Sequence, residues 1–160
     1  MNQPDFDVRG MLDEPGLVAS IATVTATGRP ALAVVWFCHA DSRLWFNSPR
    51  GEGRPEPFLD AARRGADVAV LAAIFNAPND IRQFRATGPA RLEDRDGVRV
   101  RRVYDRYISE WTPQWLEHLT STRYQLWSVL PASGMAVDYS GFRDSPVFRW
   151  ASVGELDAVC

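Results

Sequence analysis

The sequence predicts a mainly β protein, an antiparallel closed or split barrel of six to seven strands with flanking helices. Three observations lead to this prediction. Six or seven segments have the length and composition of strands, turns rather than helices separate most of them, and few segments have helical features. A parallel α/β sheet needs a helix after each strand, whereas closing antiparallel strands into a barrel removes exposed strand edges. The length of 160 residues predicts one domain, residues 1–160.

The first half of the chain contains a predicted short helix followed by a three-stranded meander. The helix covers residues 6–14 and ends at Pro15-Gly16. Residues 17–27 are rich in β-branched side chains and lead through the turn Gly28-Arg29-Pro30 into a second strand, residues 31–38. A turn at 39–42 then precedes the third strand, residues 43–47. Three antiparallel strands in a row predict a meander.

The second half supplies the remaining strands and helices. Residues 48–57 combine Gly, Pro and charge and are predicted to form a loop, followed by a helix over 58–64 that Gly65 closes. Strands are predicted at 68–75 and 81–92, the latter with a bulge at Gly88-Pro89. A helical zone over 96–119 is broken near Pro113, which suits a first helical turn. Residues 124–130 and 135–139 are the closing strands.

Composition narrows the classes of partner and the compartment. The formal net charge is −2, which predicts neither nucleic acid nor an anionic membrane as partner. All 18 basic residues are arginines, a bias that suggests a bacterial source with a GC-rich genome. The two cysteines, Cys38 and Cys160, do not suggest a disulfide framework, and the N-terminal residues lack a signal-peptide pattern. We therefore expect a cytoplasmic protein.

Motifs for hydrolysis, nucleotide binding or metal binding are not present in the sequence. It has no Ser-His-Asp order, Walker loop, dinucleotide fingerprint or HExxH helix. The only histidines, His39 and His118, are interpreted as incidental, and no metal site is predicted. Residues 91–106 alternate acidic and basic side chains, which predicts a solvated helical face with pairs inside the helix.

Four stretches of the chain carry a resemblance to a known family. They are the strand pair ALAVVWF and LWFN, the arginine-containing loop SPRGEGRPEP, the segment RQFRATGPARL and the closing stretch VDYSG. Together they resemble the pyridoxamine 5′-phosphate oxidase-like superfamily of flavin-binding split barrels, which also contains deazaflavin-dependent reductases. The resemblance implies an antiparallel split barrel that binds FMN, acts as an oxidoreductase on a small organic substrate, and forms a homodimer with the cofactor in a groove lined by both chains.

The resemblance also implies which residues hold the cofactor. The paired strands cradle the ring and ribityl chain, the arginine loop faces the phosphate, a glutamine approaches the ring, and an aromatic residue of the closing element comes from the partner or caps the site. In this sequence those residues are Val34, Val35, Trp36, Phe46, Asn47, Ser48, Arg50, Arg54, Gln83 and Tyr139. No side chain is assigned as a general acid or base, because the cofactor carries the hydride chemistry.

Several alternatives remain open. Where the oxidase itself has Arg and Lys on the cradling strand, this chain has Ala31 and Trp36, so vitamin B6 oxidation is not implied. One alternative is a deazaflavin-dependent reductase, and another is a non-redox split barrel that binds haem or a small ligand. The aromatic residues, among them six tryptophans, also suit a barrel core, a dimer interface or a pocket for a bulky substrate. The arginine loop and Gln83 also suit ordinary solvated positions.

Overall fold

The computed structural model describes residues 6–142 and 144–160. In these residues nine strands and five α-helices follow one another, with a single 3₁₀ turn at Ser140–Phe142. The strands are β1 Ala19–Val24, β2 Pro30–Val35, β3 Cys38–Ala40, β4 Arg43–Pro49, β5 Asp67–Asn76, β6 Asp80–Leu92, β7 Tyr124–Val129, β8 Ser133–Asp138 and β9 Val147–Trp150. The helices are α1 Val8–Leu12, α2 Pro57–Arg64, α3 Gly97–Tyr104, α4 Pro113–Glu117 and α5 Val153–Asp157.

All nine strands belong to one antiparallel network that splits at β6. The main path runs β2-β1-β5-β6-β7-β4-β3, and β8 and β9 branch from β6. Residues 82–87 of β6 pair with β8, and residues 90–92 pair with β7. The partner changes at Gly88, where a Cβ atom would overlap the carbonyl oxygen of Leu130. The chain therefore forms a split β-barrel with flanking helices, as predicted.

Two hydrophobic clusters hold the fold together. The larger fills the barrel with the inward side chains of β1, β4, β5, β6 and β7 and receives α1, α2 and α5. The smaller lies on the other side of β4, where Trp45 and Leu126 pack against Val100 and Val103 of α3. Alternate residues of β4 thus serve different clusters, as expected of a strand with two covered faces. This arrangement decides which predicted site residues face each other.

The predicted strand over residues 31–38 is wrong at its end, because β2 stops at Val35 and a separate strand begins at Cys38. Side chains from the end of α3 bind the backbone between the two strands. The Phe37 N–H donates to Tyr107 Oη at 3.0 Å, and the Phe37 carbonyl accepts from Arg106 Nη1 at 2.6 Å. These bonds replace the ladder bonds of a continuous strand. The break turns Trp36 toward α3.

Other differences concern the end of the chain and the regularity of β6. Strand β9 and helix α5 lie outside the predicted elements, so the count of six to seven strands is too low. The predicted bulge at Gly88-Pro89 is also wrong, because β6 keeps a regular register with β5 through both residues. The glycine is required by the close approach to the loop after β7 instead.

The predicted helices are present, but residues 91–106 are more than a solvated face. Gly65 closes α2 with a φ of 66°, and Pro113 begins α4, as predicted. Arg99 binds Asp41 and stacks on Trp45, with its guanidinium carbon 4.3 Å from the ring centroid. Arg106, in the turn after α3, donates to the backbone carbonyls of Phe37 and Leu12. These arginines join elements together, so the prediction of pairs confined to the helix is wrong.

Candidate functional site

The ten predicted site residues do not form one cluster. Val34 and Gln83 lie on the side of the sheet that faces away from the barrel, and Trp36 and Asn47 lie beside α3 and α4. Arg50 and Arg54 line a pocket after β4. Val35, Phe46 and Ser48 point into the barrel, and Tyr139 lies apart from them after β8.

Val34 belongs to an exposed apolar face, here called the outer sheet face and formed by five side chains of β1, β2 and β5. Val34 is 67% exposed and Leu32 is 76% exposed, because β2 is an edge strand whose alternate residues point away from the barrel. Val35 points the opposite way and packs against the core. The five side chains are Val24, Leu32, Val34, Leu71 and Phe75.

Gln83 lies on the same side of the sheet as Val34 but several strands away. Pairing aligns Val34 with Ser20, Leu71 and Arg85 across β2, β1, β5 and β6. Val34 and Arg85 are three strand spacings apart, which is about 14 Å. Gln83 is two residues from Arg85 on β6, so it lies further still from Val34. The Gln83 Oε1 accepts from Arg85 Nη2 at 2.6 Å and from Arg85 Nε at 3.0 Å. One chain therefore does not bring Val34 and Gln83 into contact with the same small ring.

Phe46 and Ser48 face the interior of the barrel. Phe46 is fully buried and stacks on Trp127 with ring centroids 4.5 Å apart. Ser48 is 9% exposed, and its Oγ accepts from the indole N–H of Trp127 at 2.9 Å. A ligand on the surface would meet the backbone of β4 here rather than these two side chains.

Trp36 belongs to what we call the aromatic cluster, six side chains at the junction of α3 and α4. Its ring stacks on Tyr107 at 4.7 Å and meets Tyr104 edge-on at 5.2 Å. Edge-to-face and stacked pairs of this kind add about 0.5–1.5 kcal/mol each beyond the burial of area. The cluster comprises Trp36, Tyr104, Tyr107, Trp111, Trp115 and His118.

A chain of hydrogen bonds runs from Asn47 into the aromatic cluster. The Asn47 Nδ2 donates to Tyr104 Oη at 3.1 Å, and Tyr104 Oη lies 3.0 Å from His118 Nδ1. Burial raises the pKa of Tyr104 and lowers the pKa of His118, so both groups are neutral near pH 7. The Asn47 Oδ1 is buried and has no hydrogen-bond partner among the described residues.

Arg50 and Arg54 line a pocket of about 530 Å³ together with Arg123, Tyr124 and one acidic residue, Glu52. The loop after β4 bends tightly, with Gly51 at φ 81°, and a Cβ there would lie 2.7 Å from the Arg54 carbonyl oxygen. Arg123 joins the two arginines because β7 begins opposite the end of β4, and the Arg50 N–H donates to the Arg123 carbonyl at 2.8 Å. Within residues 6–142 and 144–160, none of the three guanidinium groups forms an ion pair.

The N-terminus of α2 beside this pocket already has an acceptor. The Glu56 carboxylate accepts from the Leu59 N–H at 2.6 Å and so caps the helix. Burial raises the pKa of Glu56, and the backbone hydrogen bonds oppose that shift. An anion in the pocket would therefore be bound by the arginines rather than by the free end of the helix.

The aromatic cluster adjoins the arginine pocket through Tyr124. The ring of Tyr124, which lines the pocket, lies 4.6 Å from the ring of His118. A molecule with an anionic group and a flat ring suits this combination of donors and aromatic side chains. Tyr139, at the other end of the sheet, is half-buried after β8, and its N–H donates to the Ile81 carbonyl at 2.7 Å.

Four residues of this region were not among the predicted site residues. Arg123 and Tyr104 carried no motif, Arg85 is two residues beyond Gln83, and His118 was interpreted as incidental. The signal that would have identified Arg123 is the pairing of β4 with β7, which places it beside Arg50. Sequence periodicity does not specify which strands pair.

The described parts of the chain contain neither a metal-binding cluster nor a membrane-spanning helix. Among those residues, no group of three or more His, Cys, Asp or Glu side chains is arranged to hold a metal ion. The helices described in 6–142 and 144–160 include none long and apolar enough to span a membrane.

Comparison with known proteins identifies the fold. No protein-family model and no curated protein matches the sequence. General Stress Protein 26 from Bacillus anthracis is similar in structure, with a TM-score of 0.61 and 17% identity, over 90% of this chain and 96% of that one. The haem storage protein HutZ from Vibrio cholerae has a TM-score of 0.56 and 12% identity over 81% and 91% of the two chains. A candidate pyridoxamine 5′-phosphate oxidase from Listeria innocua has a TM-score of 0.55 and 15% identity over 89% and 94%.

These identities show the fold alone. The chain has the split-barrel fold of the pyridoxamine 5′-phosphate oxidase-like proteins, as the resemblance predicted. Proteins of this fold differ in what they hold, since one of those compared is a haem storage protein and another a candidate oxidase. The residues present fit a flavin mononucleotide in one respect. Three arginines that form no ion pair in the described chain suit its phosphate.

Proposed function

We propose that this split barrel is a flavin-dependent oxidoreductase that binds FMN between two copies of the chain and acts on a small organic substrate. The observation that carries the proposal is the pocket formed by Arg50, Arg54 and Arg123. It offers guanidinium groups without ion pairs in the described chain, next to the aromatic cluster.

The arginine pocket would bind the phosphate of the cofactor. A phosphate monoester carries about −1.5 to −2 charges near pH 7 and accepts several hydrogen bonds. Guanidinium groups meet it with paired N–H donors, which give stronger bonds than neutral donors do. Trp36 occupies the position at which the oxidase has a lysine, and the structure packs it into the aromatic cluster. Arg123, in the turn immediately before β7, supplies a positive charge that β2 does not.

The outer sheet face would hold the ring with the help of a second copy. In one chain Val34 and Gln83 are separated by three strand spacings, about 14 Å, and by a further two residues along β6. A single ring can therefore contact both only if they come from different chains. The five exposed apolar side chains of the outer sheet face also suit burial against a second copy, since exposed apolar patches mark interaction sites. In this arrangement Gln83 donates its amide to a ring carbonyl, and the interface excludes water from the ring.

The chain's own residues bind and orient, and the cofactor supplies the redox chemistry. Bound flavin accepts and donates hydride at its ring. The arginines would hold the phosphate, Gln83 would contact the ring, and Tyr139 would come from the partner or cap the site. No side chain is assigned as a general acid or base. We also propose that the protein works in the cytoplasm, because Cys38 and Cys160 are both free thiols, as is usual in a reducing compartment.

The proposal is tested by comparing FMN with riboflavin, which has the same ring but no phosphate. An absorbance spectrum of the purified protein and titrations followed by tryptophan fluorescence would give the affinities. We expect the protein to prefer FMN, and we expect Arg50→Ala and Arg123→Ala to reduce that preference by about tenfold each while riboflavin affinity stays unchanged.

Arg29→Ala is a matched control, because Arg29 is an exposed arginine in the turn between β1 and β2, away from the pocket. This variant should bind both ligands like the unaltered protein. Equal affinity for FMN and riboflavin would refute the phosphate assignment, and absence of binding by both would refute the FMN proposal.

Two other ligands have a specific observation in their favour. The third guanidinium, that of Arg123, suits the longer anionic tail of a deazaflavin cofactor, so the same titration should include one. Haem is the other, since His118 is half-buried and Tyr104 orients its ring through Nδ1. A Soret band that disappears in His118→Ala would identify the protein as a haem-binding split barrel instead.

A further inference from the structure

We propose that Arg85 is a positioning residue that orients the side-chain amide of Gln83 so that its NH2 group faces the flavin ring. This inference rests on the proposed function, because it assigns a role within the same ring site. Arg85 itself is not proposed to touch the cofactor.

The geometry of the pair is specific. Gln83 and Arg85 are two residues apart on β6, so their side chains emerge on the same side of the strand. Two N–H groups of one guanidinium edge, Nε and Nη2, meet the single oxygen Oε1 at 3.0 and 2.6 Å. A fork on one acceptor restricts both the distance and the rotation of the amide.

The donor inventory of arginine decides which end of the amide faces it. A guanidinium has five N–H donors and no acceptor, so only the oxygen of an amide can lie against it. The Gln83 NH2 group must therefore point away from Arg85. A glutamine without this partner could turn its amide over and present either an acceptor or a donor to a ligand.

The surroundings leave Arg85 with no other evident task. It forms no ion pair within residues 6–142 and 144–160, unlike Arg82 of the same strand, which binds Asp80 at 2.7 Å. Its cross-strand neighbours are Leu71 and Met135, both apolar. The only hydrogen bonds that its guanidinium makes in the described chain are the two to Gln83.

Such an amide would give the site a fixed preference for a carbonyl. A flavin ring carries two carbonyl oxygens and one N–H on its pyrimidine part. An amide whose NH2 group faces the ring can donate to a carbonyl oxygen but cannot accept from the N–H. Losing Arg85 would let the amide spend part of its time in the wrong orientation. The affinity for the ring would then fall, but by no more than it falls when Gln83 itself is removed.

A double-mutant cycle with riboflavin as the probe tests this, because riboflavin reports on the ring without the phosphate. We expect Gln83→Ala to weaken riboflavin binding by about tenfold and Arg85→Ala by about three- to tenfold. In the Gln83→Ala background, the further change Arg85→Ala should weaken binding by less than about twofold, because Arg85 acts only through the amide.

Three more measurements separate positioning from a general structural role. Arg85→Ala and Gln83→Ala should shift the absorbance spectrum of bound flavin in the same direction. Arg85→Lys, which keeps one charged donor, should recover part of the lost affinity. Arg91→Ala is the matched control, since Arg91 is an exposed arginine further along β6 that binds Glu93 at 2.6 Å, and it should leave both spectrum and affinity unchanged.

The outcomes are distinguishable. If the effects of Arg85→Ala and Gln83→Ala simply add, Arg85 contacts the ligand directly and the proposal is wrong, while the proposed function stands. If Arg85→Ala changes only thermal stability and not affinity or spectrum, Arg85 is structural and the proposal is again wrong. If the unaltered protein binds neither flavin nor deazaflavin, the proposed function fails, and this proposal fails with it.

Discussion

Replacing Ser48 with alanine should destabilise the barrel without affecting cofactor binding. The Ser48 Oγ is the acceptor for the indole N–H of Trp127, at 2.9 Å, and Trp127 is fully buried between the rings of Phe46 and Phe58. Alanine removes the acceptor and leaves a buried donor unpaired. That loss costs about 1–3 kcal/mol in the free energy of unfolding. For a chain of this length, the melting temperature should fall by about 2–4 °C for each kcal/mol.

The assay is urea unfolding followed by circular dichroism at one protein concentration, since a dimer's stability depends on concentration. Ser48→Ala, Trp127→Phe and the double variant form a cycle. Phenylalanine at 127 removes the N–H donor, so that Ser48→Ala no longer leaves a buried donor unpaired. The free energy of unfolding of the double variant should therefore exceed the value predicted by adding the two single effects by about 1–2 kcal/mol. Flavin affinity of Ser48→Ala should equal that of the unaltered protein. If Ser48→Ala instead kept its stability and lost flavin affinity, Ser48 would be a ligand contact and the structural reasoning would be refuted.

Three further predictions follow from the fold. Gly88→Ala should lower the free energy of unfolding by about 3 kcal/mol or more, because its Cβ would overlap a carbonyl oxygen. Gly154→Ala is the control and should cost nothing, because its Cβ meets no atom within 4 Å. Equal urea midpoints for the two variants would contradict this prediction. Val34→Asp should dissociate the proposed dimer in analytical ultracentrifugation, and Val98→Asp, exposed on α3, should not; a dimer that tolerates the first change does not use the outer sheet face. Burial lowers the pKa of His39 below its usual 6.5, so the unfolded chain binds a proton more readily than the folded one, and stability should fall as the pH drops through about 6.5. The urea midpoint of His39→Gln should depend less on pH between about 7.5 and about 5.5, and an unchanged slope would show that other groups cause the loss.

Much of the architecture was predictable because local patterns specify it. β-branched runs bounded by Gly and Pro predicted the strands, and the positions of Gly65 and Pro113 predicted a helix end and a helix start that the structure confirms. The break after Val35 was not predictable, because it depends on Tyr107 and Arg106, about seventy residues away, which bind the Phe37 backbone. Strand β9 also escaped prediction, since its four residues form a strand only by pairing with β8.

The candidate site shows the same division. By itself the sequence determined the barrel class, the arginine loop after β4 and the resemblance that points to a flavin, because composition, turn residues and short motifs are local properties. Only the tertiary structure decided that Arg123 joins Arg50 and Arg54, that Phe46 and Ser48 face the core, and that Val34 and Gln83 lie too far apart for one chain to complete the ring site. These facts follow from which strands pair and how their registers align. Pairing and register are set by contacts between segments distant in sequence, where the hydrophobic effect and hydrogen bonding act on the whole chain at once.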